Sequence, residues 1–153
     1  MVVRVQDENF DIGAEIDALR SGRTDIGAIV SFTGTVRDLG GEAHVAAMTL
    51  EHYPGMTEKA LEALEADARA RWPLDDCLVL HRFGRLEPGD NIVLVVTLSA
   101  HRRAAFEAAE FLMDDLKTRA PFWKKEETAD GTRWVEARAS DDDAAARWAG
   151  DAA

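Results

Sequence analysis

Two apolar runs, "DCLVLHRFGRL" (76–86) and "NIVLVVTLSA" (91–100), flank the turn "EPGD" (87–90). Strand-rich composition on both sides of a Pro-Gly turn predicts a strand pair, and the other segments are arranged around it. Upstream, "MTEKALEALEADARARW" (56–72) sets Ala60, Leu61, Leu64 and Ala68 on one helical face, with Glu and Arg on the other. Pro73 stops that helix. In "DIGAEIDALRSG" (11–22), Ile12, Ile16 and Leu19 recur at helical spacing, ending at Gly22. "IGAIVSFTGTVRD" (26–38) reads as a strand broken by small residues, "LGGEAH" (39–44) as a flexible turn, and "VAAMTLEHY" (45–53) as the next strand. After the strand pair comes a helix from about 101 to 119, ended by Pro121. "WKKEET" and "TRWVEA" then flank "ADG" as a closing hairpin. This mixed order predicts the α+β class: a largely antiparallel sheet with packed helices. Residues 1–139 form the expected single domain, and the polar, Ala-rich tail at 140–153 is expected to be mobile or to fold only on a partner.

The chain has 153 residues, enough for one domain with a core, and 46% of them are hydrophobic. No apolar run reaches the roughly 20 residues that span a bilayer. The start, "MVVRVQDENF", lacks the cationic and apolar regions of a signal peptide. The single Cys77 excludes an internal disulfide and reads as a buried strand thiol, so a cytoplasmic location is expected. Eighteen Lys and Arg stand against 29 Asp and Glu, a net charge of -11, which argues against nucleic acid as a partner. Yet "LKTRAPFWKKEE" (116–127) gathers Lys117, Arg119, Lys124 and Lys125 around Pro121, Phe122 and Trp123. Such a cluster on an acidic body is either a site for a small anion or carboxylate tail, or a solvated face.

In the helix "HRRAAFEAAEFLMDDLKTR" (101–119), Phe106, Ala109, Met113 and Leu116 recur at helical spacing, predicting a buried face. Lys117 lies 11 residues past Phe106 and points within about 20° of the same direction. A lysine at the end of an apolar stripe either snorkels outward or is held in a partly dry pocket, where nearby cations lower its pKa. His101 and Arg102 open the same helix, beside N–H groups suited to an anion. Arg37 ends a strand in which Thr33, Gly34 and Thr35 permit close backbone approach. "TGT" lacks the spacing of a phosphate loop. His44, His52 and His81 are scattered, without HExxH or cysteine pairs, so no metal site is expected. Trp72, Trp123, Trp134 and Trp148 read as core or interface residues.

Six stretches taken together resemble the large, catalytic subunit family of molybdopterin synthase (the MoaE family): "FTGTVR" (32–37), "LEHYPGMTEKAL" (50–61), "HRFGRLEPGD" (81–90), "SAHRRAAFEA" (99–108), "LKTRAPFWKKE" (116–126) and "RWVEAR" (133–138). They follow the family's order across nearly the whole chain. The resemblance implies an α/β hammerhead fold and a sulfurtransferase that converts cyclic pyranopterin monophosphate into molybdopterin by installing two dithiolene sulfurs. The implied sulfur donor is a thiocarboxylate on the C-terminal Gly-Gly of a small ubiquitin-like subunit. The implied assembly is a heterotetramer around a homodimer of large subunits. Family roles fall on Lys117 and Lys124 as catalytic lysines, and on Thr35, Val36, Arg37, His101, Arg102, Lys117, Lys124, Lys125 and Glu126 as substrate contacts. No metal, nucleotide or other cofactor is implied, and no membrane. The residues alone leave a rival open: a non-catalytic module that binds a ubiquitin-like tail, with Lys117 as a salt-bridge partner.

Overall fold

The computed structural model describes residues 2–38, 45–129, 131–135 and 139–149. Their elements run β1 (Val2–Gln6), α1 (Ile12–Arg20), β2 (Ala28–Thr35), β3 (Val45–His52), α2 (Met56–Arg71), β4 (Leu74–Arg82), β5 (Gly84–Leu86), β6 (Asn91–Ser99), α3 (Arg102–Arg119), β7 (Phe122–Thr128), β8 (Gly131–Val135) and α4 (Ala139–Ala149). The expected turn at 39–44, with His44, lies outside the described residues, as does the end of "RWVEAR".

The two apolar runs pair as predicted, antiparallel, with Leu78 opposite Val96 and Leu80 opposite Leu94. They form the centre of a four-stranded sheet ordered β1-β4-β6-β2, in which β1 runs parallel to β4 and the remaining pairs are antiparallel. Side chains alternate between the faces of each strand. Cys77, Val79, Val93 and Val95 therefore pack under Leu61, Leu64 and Ala68 of α2 and Phe111, Leu112 and Leu116 of α3. Leu78, Leu80, Leu94, Val96 and Leu98 face Ile12, Ile16 and Leu19 of α1. Asp11 caps α1 by accepting from the Ala14 N–H at 2.9 Å, which gives that short helix a defined start.

The first run does not stay in this sheet. Gly84 has φ +91°, a left-handed conformation suited to glycine, and turns the chain away after Arg82. "GRL" becomes β5 and joins a second four-stranded antiparallel sheet ordered β5-β3-β7-β8. Two sheets thus replace the one expected, because apolar pattern alone does not register a corner. At this corner the end of β4 meets the inner face of the second sheet.

One further expectation is corrected. Phe106 is 60% exposed; the buried stripe of α3 is Ala104, Ala105, Ala108, Ala109, Phe111, Leu112 and Leu116. Alanines let the helix lie close on the sheet, and the stripe they define leaves Phe106 in water. Farther along the chain, α4 docks along α3, where Trp148 meets Trp72 and Phe111 edge-on, each with centroids 5.6 Å apart. The Trp148 indole N–H donates to Asp114 at 2.7 Å, and Arg71 donates to the Trp148 carbonyl at 2.9 Å. Among the described residues no helix is long and apolar enough to cross a membrane.

Candidate active site

The site forms where β4 ends. His81 follows Cys77 and Val79 at two-residue spacing on the helix-covered face of β4, and only 5% of it is exposed. Its ring stacks on Phe122 of β7, centroids 3.8 Å apart and planes 19° from parallel. Phe122 pairs with His52 of β3, whose ring lies 6.0 Å from Phe122 and 4.6 Å from Phe83. A column of alternating imidazole and phenyl rings therefore fills the join between the two sheets.

Two lysines act on this column. Lys117 is exposed on the last turn of α3, one residue past buried Leu116, which packs in the cluster that includes Val93, the strand partner of His81. Lys124 lies two residues after Phe122, on the same face of β7, opposite Leu50. Both bear on His81. Burial pushes its imidazole down to about 4, and nearby Lys117, His52 and Lys124 act in the same direction, against the Arg82 carbonyl, which favours the protonated ring. The ring is therefore neutral at ordinary pH.

Lys125 faces the other way. Successive strand residues alternate, so Lys125 shares the outer face with Trp123 and puts its Nζ over the Trp134 ring at 4.8 Å. That face carries an open cleft of about 280 Å³ lined by Glu51, His52, Tyr53, Trp123 and Trp134, with Tyr53 and Trp123 edge-to-face at 4.5 Å. Glu126 returns to the inner face and ion-pairs with Arg133 of β8 at 3.2 Å. The three consecutive residues Lys124, Lys125 and Glu126 thus do not present their side chains to one pocket.

Thr35, Val36 and Arg37 leave β2 beside the same join. Val36 is buried with Met48, Leu50 and Leu86, and its N–H and C=O bond to the Asp90 carbonyl and the Gly89 N–H at 2.9 and 2.8 Å. Its side chain is core, and it fixes where exposed Thr35 and Arg37 emerge. Gly34 is small by necessity: a Cβ there would lie 2.8 Å from Val93 Cγ1. His101 and Arg102 lie elsewhere, exposed at the far end of α3, with His101 in the N-cap position and making no side-chain cap bond. Fifteen residues of helix separate Arg102 from Lys117, about 22 Å.

Positive charge, one neutral imidazole and aromatic walls can hold an anion and stabilise charge that develops on it. His81 and His52 were singled out only as scattered histidines. The signal for His81 was its place in the alternation Cys77, Val79, His81.

Comparison with known proteins identifies the family. The family model described as MoaE protein matches residues 5–119. The chain is 60% identical to the molybdopterin synthase catalytic subunit of Ralstonia nicotianae, over 95% of this chain and 83% of that protein. It is 59% identical to the protein of the same name from Pseudomonas aeruginosa, over 97% and 99%. A solved structure of the molybdopterin biosynthesis MoaE protein from Burkholderia ambifaria superposes with a TM-score of 0.82 at 58% identity, covering 96% of this chain and 97% of that one.

Proposed function

The chain belongs to the MoaE family, and we propose from that premise that it is the catalytic subunit of a molybdopterin synthase. In this reading it transfers sulfur from the thiocarboxylated Gly-Gly end of a small ubiquitin-like subunit to cyclic pyranopterin monophosphate. The observation that carries the reading is that Lys117 of α3 and Lys124 of β7 both act electrostatically on buried His81, which stacks on Phe122. An acidic chain that gathers cations at one aromatic-walled join is suited to anions there and not over its whole surface.

The roles follow from position. Arg37, at the exposed end of β2, grips the substrate's phosphate, for which a guanidinium fork is well shaped. The thiocarboxylate sulfur bonds to a pterin carbon as an oxygen substituent leaves it, giving a thioester whose acyl–sulfur bond then breaks, so that the sulfur stays on the pterin. Lys117 passes a proton to the leaving oxygen and, as the free amine, takes the acyl group transiently until water releases it as the tail carboxylate. Lys124 stabilises the oxyanion that forms on the acyl carbon. Thr35 lines the substrate beside Arg37, and Val36 contributes by fixing the strand end. Glu126 holds β7 to β8 through Arg133 and so keeps Lys124 in register. Lys125 contributes from the outer face, at the edge of the assembly.

His101 and Arg102 require a second chain. At about 22 Å from Lys117 they are too far to line a pterin-sized pocket of their own chain. They serve the site of the neighbouring copy, which supports a homodimer at the centre of a heterotetramer. The lone cysteine, buried in β4, suits a reducing compartment, and we place the reaction in the cytoplasm.

The test is reconstitution: the chain, a thiocarboxylated small subunit and the cyclic precursor. The reading requires dithiolene formation. Tight binding of the small subunit without product would make the chain a tail-binding module instead.

A further inference from the structure

One buried group at the join has no part in the steps above. His81 feels the charge of both lysines, and its plane is stacked on Phe122 with centroids 3.8 Å apart. Its Nδ1 lies 2.7 Å from the Arg82 carbonyl oxygen. A carbonyl only accepts, so Nδ1 carries the proton and Nε2 keeps a bare lone pair. His52 is held the same way. The Thr57 hydroxyl gives its proton to the Tyr53 carbonyl at 2.9 Å, so it accepts from His52 Nδ1 at 3.1 Å. Both rings are thus turned by backbone-anchored bonds to keep their distal nitrogens for other use.

Two ammonium groups that both act on one buried ring repel each other. A carboxylate between them would pair with a lysine and cancel the positive field that an anionic substrate needs. An aliphatic side chain would offer no acceptor, and exposed Lys117 would turn to water. A neutral imidazole with a bare nitrogen accepts a hydrogen bond and leaves the charge intact. We propose that His81 is a positioning residue of this site: its Nε2 accepts from the Lys117 ammonium in the assembled complex and holds that lysine in line for the reaction. The proposal rests on the assignment of Lys117 as a working lysine.

Two variants separate positioning from packing. His81→Asn keeps an N–H near the Arg82 carbonyl but has no distal acceptor. His81→Gln carries an amide oxygen out to the distal position. In the complex reconstituted with the thiocarboxylated small subunit and the cyclic precursor, His81→Asn should lose about tenfold or more in kcat, while its KM for the small subunit stays within about twofold. His81→Gln should remain within about threefold of wild type. Wild-type kcat in His81→Asn would overturn the proposal. So would equal losses in both variants accompanied by equal falls in Tm, which would make the ring a packing element. If the wild-type complex itself forms no dithiolene, the sulfur-transfer reading fails first and takes this role with it. An active wild type with an unaffected His81→Asn removes only the positioning role.

Discussion

Acidification from pH 7 to pH 5 should cost the wild-type protein about 2 kcal/mol more stability than it costs His81→Gln. The imidazole of His81 is pushed down to about 4 from an ordinary 6.5 by burial. The unfolded chain therefore takes up this proton near 6.5, while the folded chain refuses it until about 4. In that window the unfolded state binds more protons. The contribution is fully present above 6.5, is lost as pH falls, and levels off below about 4. Each unit is worth about 1.36 kcal/mol, and pH 5 lies about 1.5 units inside the window. Other groups also respond to acid. A chain of net charge -11 repels itself less as pH falls, and Glu65, whose carboxyl burial pushes up, favours the folded state at lower pH. Wild type and variant share these terms, so they cancel in the difference. Urea unfolding at pH 7 and pH 5, at one fixed protein concentration, measures it. Equal pH-induced losses in the two proteins would refute the buried, neutral ring and the tautomer derived from it.

Three further outcomes follow from the same geometry. Lys117→Ala should abolish sulfur transfer with a near-normal Tm, because the side chain is exposed and alanine favours helix; Lys117→Arg should also fail, since guanidinium does not give up its proton. Inactive Lys117→Ala and Arg102→Ala chains, mixed and allowed to exchange, should regain a substantial fraction of activity, because one pocket of each mixed dimer carries neither lesion; a dead mixture with exchange confirmed would put each site within one chain. Trp148→Ala should cost about 2 kcal/mol through its lost ring contacts with Trp72 and Phe111, seen first as lost amide protection over residues 143–149; unchanged protection would contradict the docking of α4.

What was legible in the sequence was what neighbouring residues decide. Ile12, Ile16 and Leu19, and Leu61, Leu64 and Ala68, follow a 3.6-residue period and pack inward as it predicts. The pairing of β4 with β6 follows from their composition and turn. What was hidden depends on distant partners or on one dihedral. "DCLVLHRFGRL" reads as one strand because its apolar pattern continues past Gly84, where the backbone turns into another sheet. Phe106 outweighs alanine on any hydrophobic scale, yet the alanines of α3 meet the sheet and Phe106 does not. Near the end of the described residues Trp148 finds Trp72 and Phe111, residues 76 and 37 positions earlier, a contact that no local pattern announces. At the site, the resemblance named Lys124, Lys125 and Glu126 as a block. The two-residue alternation of the strand divides them, and the same alternation buries His81.

That division gives the most direct test of the central claim, that the inner face at the sheet join is where sulfur is transferred. Lys124 and Lys125 are neighbours of equal charge on opposite faces of one strand, so composition and net charge are identical in the two alanine variants. Initial rates of dithiolene formation should be measured for Lys124→Ala and Lys125→Ala with saturating small subunit and precursor. The account predicts that Lys124→Ala falls about a hundredfold further than Lys125→Ala, the scale of one lost oxyanion contact. Equal losses, or a larger loss for Lys125→Ala, would move the chemistry to the outer aromatic face and contradict the account.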